Sequence, residues 1–175
     1  MHIPLQIPEG MVGEYEVASF QQDGRAYQRL LCRGQVLMVN TPDIVSGFED
    51  FLQRAEGRVH INGLGIGMCC QYLLSKPGLQ QLTVLEYVPE IVALVSPAFE
   101  HDPRCKIFQA DAFEWEPPEG ERYDFVWHDV WTTYSARNLP QMAALFAKYR
   151  PVASWQGAWG QARCEALALQ QAART

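Results

Sequence analysis

The sequence is poor in positive charge. Its 14 Lys and Arg stand against 20 Asp and Glu, a formal net charge of -6 over 175 residues. A protein that grips nucleic acid through phosphates needs a basic surface, so nucleic acid is disfavoured as a partner. There is no NPPY-like base-amine motif either. Long apolar runs are missing: nothing approaches the roughly 18 residues that span a bilayer, so no membrane partner is expected. The start, MHIPLQIPEG, has no cationic segment followed by an apolar one and does not read as a secretory signal. The five cysteines, Cys32, Cys69, Cys70, Cys105 and Cys164, form no CxxC or CxxH pair. Odd in number and scattered, they fit free thiols in a reducing compartment better than a disulfide scaffold. His2, His60 and His101 make no zinc-ligand pattern with nearby Cys or Asp, so no metal is expected. These absences point to the cytoplasm, or to the host cytoplasm if the source is a virus.

What is present is a chain that is 48% hydrophobic, enough for one domain with a real core. The stretch VHINGLGIG (59–67) organises it. Val59 to Ile61 reads as the end of a strand, Gly63, Gly65 and Gly67 follow at alternate positions, and Met68 to Leu74 has helical character. Glycines let the backbone turn tightly and let a ligand approach it, and a helix start offers unpaired N–H groups. A plain strand-to-helix turn would look similar.

Ahead of this stretch, residues 1–10 read as irregular and 14–20 as an edge strand. Two short runs, 26–32 and 35–39, flank Arg33-Gly34 as a hairpin. This front part is expected to extend the main sheet. Thr41-Pro42-Asp43 should then start one helix, with Thr41 as cap and Val45, Phe48, Phe51, Leu52 and Ala55 on its buried face. Behind the glycine turn come strands ending at Glu86, Phe108 and Trp127, a helix capped by Asn138, a strand over 152–155 and a terminal helix over 161–173. Strands alternating with helices place the centre in the α/β class. The expected organisation is an N-terminal hairpin and helix over 1–57, integrated with an α/β core over 58–175.

In an open parallel sheet, ligands bind beyond the carboxyl ends of the strands. Four features fall there: Gly63 to Gly67, Glu86, Asp111-Ala112 and Asp129. Glu86 lies 23 residues beyond Gly63, a spacing at which an acid can accept from a ribose diol. Asp111 and Ala112 can offer a carboxylate and a backbone group to an adenine edge. Asp129 can face a cationic centre or an acceptor amine. Beside it, His128 either assists a proton transfer or is simply packed and hydrogen-bonded. Trp131 and Tyr134 either wall an acceptor pocket or pack ordinarily. Trp155 and Trp159, in WQGAW, read as core, dimer contacts, a lid or part of an acceptor pocket.

Residues 59–134 resemble class I S-adenosylmethionine-dependent methyltransferases, especially their spermidine-synthase-like branch. VHINGLGIG resembles the glycine motif, LTVLEYVPEIVAL the segment around the ribose-binding acid, QADAFEW the adenine-side motif and YDFVWHDVW the strand entering the reaction centre. LLCRGQVLMVNTPDIVSGF (30–48) resembles the hairpin and helix that precede this core in aminopropyltransferases. The resemblance implies a Rossmann-like class I methyltransferase core, shortened at the C-terminus, that binds S-adenosyl-L-methionine. It assigns Gly63, Gly65, Gly67, Glu86, Asp111 and Ala112 to the cofactor and Asp129 to catalysis, with the neighbouring His128 as the second catalytic candidate.

Two departures stand out. Aminopropyl transfer uses a DxxD pair, and here the second position is Thr132. Only 46 residues follow Asp129, short of that family's terminal half, so the front hairpin or a second subunit is expected to cover the site. Methyl transfer to a small-molecule acceptor is the leading expectation. Aminopropyl transfer and a noncatalytic binding or assembly role stay open beside it. A homodimer is expected from the exposed sheet edges and the Trp-rich tail.

Overall fold

A computed structural model describes residues 2–173. Met1, Arg174 and Thr175, at the outer ends of the expected segments 1–57 and 58–175, lie outside the described residues. Two turns with positive φ at both central positions build the front of the chain. Asp23-Gly24 (50° and 72°) and Arg33-Gly34 (52° and 74°) match the twist of the strands they connect. They join β2 (Tyr15–Gln22) to β3 (Arg25–Cys32) and β3 to β4 (Gln35–Val39), while β1 (Gly10–Val12) pairs with the outer side of β2. β2 is therefore an inner strand, not an edge, because three residues of β1 cover it. The four strands also form an antiparallel sheet of their own and do not extend the main one. Pro42 turns the chain into a helix directly after β4, before that strand reaches the other sheet.

Thr41 opens this helix through its backbone. Its carbonyl accepts from the Ile44 and Val45 N–H groups at 3.1 and 3.0 Å, and its side chain makes no cap. A 3-10 turn over Ser46–Phe48 breaks the expected single helix into α1 (Pro42–Val45) and α2 (Glu49–Arg54). Val45, Phe48, Phe51 and Leu52 remain buried across the break.

The main sheet consists of β5 (Gly57–Asn62), β6 (Leu79–Glu86), β7 (Cys105–Gln109), β8 (Tyr123–His128) and β9 (Ala153–Ala158). All are parallel, in the order β7-β6-β5-β8-β9. The connecting helices are α3 (Met68–Leu74), α4 (Pro89–Val95) and α5 (Leu139–Tyr149), and α6 (Gln161–Ala172) follows β9. The architecture is the Rossmann-like α/β class expected from the alternation. From β5 the chain builds outward through β6 to β7, then returns to place β8 and β9 on the other side. The ends of β5 and β8 therefore border the crevice of the sheet. No helix among the described residues is long and apolar enough to cross a membrane.

Alternating side chains give the sheet two unlike faces. On one, Val59, Ile61 and Trp127 join Phe51, Leu52 and Leu73 in the main core. Trp127 stacks on Phe51 at 4.8 Å, and Trp155 continues the stack. On the other face the same strands carry His60, Asn62 and His128, all buried. Asn62 donates from Nδ2 to His128 Nδ1 (2.8 Å), which leaves the His128 Nε2–H to donate to Gln156 Oε1 (3.2 Å). Tyr149 of α5 closes the network, with its hydroxyl 2.9 Å from His60 Nε2 and donating to Asn62 Oδ1 at 3.2 Å. Burial pushes both imidazoles down to about 4, so both are neutral at pH 7.

In the unfolded chain these imidazoles take up protons near their ordinary 6.5, whereas in the fold they resist until about 4. Their contribution to stability is present above 6.5 and is lost as pH falls toward 4. The thermal midpoint should therefore drop between pH 6.5 and 4. His60→Phe should show a shallower drop over that window, whatever its own midpoint, in calorimetric scans.

Candidate active site

Gly63 sits where the two central strands part. Its φ is +105°, and a Cβ built there would lie 2.0 Å from the Asp129 carbonyl oxygen. Backbone bonds hold this crossing. Gly63 N–H donates to Leu85 O (2.8 Å), and Asp129 N–H donates to Asn62 O (2.7 Å). The first glycine thus serves the approach of the β8 segment to the turn. Gly67 serves a different neighbour: its Cβ would meet Phe99 at 2.6 Å, where α4 and the turn after it pack.

Glu86, at the end of β6, is 7% exposed and turned back onto the glycine turn. Oε2 accepts from Leu64 N–H (3.0 Å) and Gly65 N–H (3.4 Å), and Oε1 accepts from Val88 N–H (2.9 Å). These bonds fix the carboxylate and occupy Oε2, while Oε1, with one bond, keeps capacity toward the crevice. Asp111 follows β7 and folds its own loop, accepting from Phe113 N–H at Oδ1 (2.8 Å). Lys148 of α5 holds that loop from below, donating to the carbonyls of Phe113 (2.5 Å) and Trp115 (2.8 Å). Asp129 follows β8. Among the described residues no donor or cation pairs with its carboxylate. Burial, with the negative charge of Glu86 adding to it, lifts its carboxyl up to about 7.

These groups share one cavity of about 550 Å³. Gly63, Gly65, Glu86, Asp111, Ala112 and Asp129 all line it, whereas Gly67 and His128 do not. His128 lies beneath the sheet edge, fully buried in the Asn62 and Gln156 network, where the sequence left both a packed and a proton-transferring role open. The front sheet roofs the cavity through Tyr15, Leu30, Leu37 and Met38, with the Met38 sulfur close above Gly65. Ile44 and Phe48 add a helical wall.

The remaining wall is aromatic. Trp131 and Tyr134, on the loop after β8, join Trp159, just beyond β9. Trp155 and Trp159 therefore separate, the first into the aromatic stack beside the core and the second into the cavity. Ser135, not Asn138, caps the turn before α5, accepting from Arg137 N–H at 3.2 Å. Asn138 instead donates to the Thr133 carbonyl (2.7 Å) and fixes the loop that carries Tyr134. The roof residues were missed as site residues because in sequence they read as ordinary strand positions. Only the fold brings them over the glycine turn.

No protein-family model and no curated protein matches the chain. Solved structures match it by fold. Spermidine synthase from Thermotoga maritima aligns with a TM-score of 0.51 at 15% identity, over 81% of this chain and 52% of that one. N-methyltransferase NodS from Bradyrhizobium japonicum aligns with a TM-score of 0.50 at 14% identity, over 64% of each chain. The chain has a class I methyltransferase-like fold. It spans about half the length of several of the structures it matches.

Two outcomes follow from the crossing. Gly63→Ala should cost ~3 kcal/mol or more, read by denaturant unfolding, because it adds an unfavourable φ to a backbone overlap. Asp129→Asn should do the opposite at high pH. A carboxyl whose folded value is raised contributes stability below its ordinary 3.8 and loses it as pH rises through about 7. The variant should melt higher than the parent at pH 8, and that gain should vanish near pH 4.

Proposed function

We propose that the cavity binds S-adenosyl-L-methionine and that the protein transfers its methyl group to a small acceptor. The observation that carries this reading is the convergence of Gly63, Glu86, Asp111 and Asp129 from four strand ends on one cavity. The cavity suits the group electrostatically. Three carboxylates line it and, among the described residues, no Lys, Arg or His does, which favours a positively charged nucleoside. Glu86 would accept from the ribose hydroxyls and Asp111 from the adenine amine, with Ala112 beneath the base.

When bound, the sulfonium supplies an electrophilic methyl: the acceptor lone pair forms the new bond, the carbon–sulfur pair stays on a neutral thioether, and the acceptor proton leaves. Asp129, which lines the cavity, would take that proton. With a value of about 7 it is half-ionised at neutral pH, close to the condition in which a general base works best. The roof and aromatic wall exclude water and hold the acceptor in line, and alignment supplies much of the acceleration.

Aminopropyl transfer is the second reading, and two observations favour it. The spermidine synthase alignment covers 81% of the chain, a share too large for the main sheet alone. The cavity also offers no cation to a methionyl carboxylate, and the Leu64 and Gly65 N–H groups already face Glu86. Thr132 counts against it, since a polyamine would meet one acid instead of two.

Calorimetry separates these readings. S-adenosyl-L-methionine should bind at pH 7 with release of about half a proton, because its positive charge drives Asp129 to ionise. The release is measured as a dependence of the binding heat on the buffer's own ionisation heat. S-adenosylhomocysteine, without that charge, should release far less, and Asp129→Asn should abolish the difference. Decarboxylated S-adenosylmethionine binding at least ~30-fold tighter than the parent compound would move the assignment to aminopropyl transfer. Binding of neither would sink both.

A further inference from the structure

The acceptor half of the cavity specifies the kind of molecule it takes. Glu86 and Asp111 stand at the ends of β6 and β7, on the side assigned above to the nucleoside, and the inference rests on that assignment. The opposite side holds a single carboxylate, Asp129, with Thr132 near it, and is otherwise apolar and ring-rich: Phe48, Trp131, Tyr134 and Trp159, with the exposed Ile44 and Leu37.

This wall is preformed. The Tyr134 and Trp159 rings stack at 4.3 Å with a 20° interplanar angle. The Arg163 guanidinium lies over the Tyr134 ring at 4.5 Å. Gly160 admits the ring, since a Cβ there would overlap Tyr134 at 2.5 Å, and the Trp159 indole nitrogen lies against the bare Cα of Gly47. Trp131 is held by its Nε1–H, which donates to Gln141 Oε1 at 2.8 Å. Trp159 and Arg163 take the two faces of Tyr134, so these pinned rings present a rigid apolar wall, and ring contacts with it, edge-on ones included, favour a flat partner beyond the gain from area alone.

Charge narrows the class further. Among the described residues the lining holds no cation, so a carboxylate or phosphate on the acceptor would find no counter-charge there and would face Asp129. With Thr132 at the position of a second acid, a diamine's distal ammonium would have only modest ring contacts and no second carboxylate to pair with. Desolvating an unpaired charge is costly. We propose that the acceptor is a small monoamine with one basic nitrogen on a flat apolar body, held with the nitrogen at Asp129 and the body against Trp131, Tyr134 and Trp159.

The test uses three probes of similar size, phenethylamine, putrescine and phenylacetate, titrated into the protein both free and saturated with S-adenosylhomocysteine. Phenethylamine should bind both forms at least about tenfold tighter than either other probe. Trp159→Ala should weaken phenethylamine about tenfold while S-adenosylhomocysteine affinity stays within about twofold. Thr132→Asp, on an exposed side chain, should improve putrescine about tenfold and so guards against a Trp159 variant that fails to fold. Putrescine or phenylacetate binding as tightly as phenethylamine to the parent protein would overturn the proposal, as would no amine binding to either form. If S-adenosylhomocysteine fails to bind but phenethylamine keeps its preference on the free protein, the cofactor assignment falls and the monoamine slot stands.

Discussion

The close approach of Gly63 to the Asp129 carbonyl is the contact on which the rest of the site depends. β5 and β8 run side by side and then diverge, one into the glycine turn and the other into the aromatic loop. Because position 63 has no side chain, the two exits start with their backbones in contact. The Asn62 carbonyl takes the Asp129 N–H, and the Leu85 carbonyl takes the Gly63 N–H, so three strand ends are tied at one level. Any shift at this point would move Glu86, the turn it holds and Asp129 together. The carboxylates converge because the backbone bonds, and not the side chains, set their spacing.

The polar network under the sheet serves the same crossing from below. Burying two imidazoles, an amide and a phenol costs free energy that apolar residues would not cost, and His60 Nδ1 has no partner among the described residues. What the network supplies is register. Asn62 and His128 are paired positions on β5 and β8, one residue before Gly63 and Asp129 respectively. Their hydrogen bond is satisfied only when those strands are in step. A slip of one residue would put Ile61 or Trp127 on this face and leave several buried groups unpaired.

Much of the main sheet was legible in the sequence because its signals are local. Strand ends carry the polar residues, Pro and Gly stop the helices, and apolar runs mark strands covered on both faces. The front of the chain was read less well. A strand's edge or inner position depends on what pairs with it, and β1 is only three residues long. The break at Ser46–Phe48 was hidden because its buried residues keep nearly helical spacing through the 3-10 turn. In the site, Glu86, Asp111 and Asp129 were legible as acids at strand ends. The depth of His128 was not, since a residue at the last strand position can face the crevice or the helix beneath. Of the two expected covers, the front hairpin does lie over the cavity, but the individual roof residues Tyr15, Leu30 and Met38 were not legible, because only the packing of one sheet over another selects them.

The acidic balance that disfavours nucleic acid at the scale of the whole chain recurs, sharpened, inside the cavity. Lys148 gives its ammonium to backbone carbonyls of the loop after β7 and to Glu116. Arg163 lies over Tyr134, outside the lining. These two cations hold loops, and Glu86, Asp111 and Asp129 face the cavity. One consequence is visible before any ligand binds: Asp129, unpaired and near Glu86, already resists ionisation. A site in this state gains most from a guest that brings its own positive charge. On the proposed reading, that charge would carry Asp129 from half-ionised at pH 7 to fully ionised.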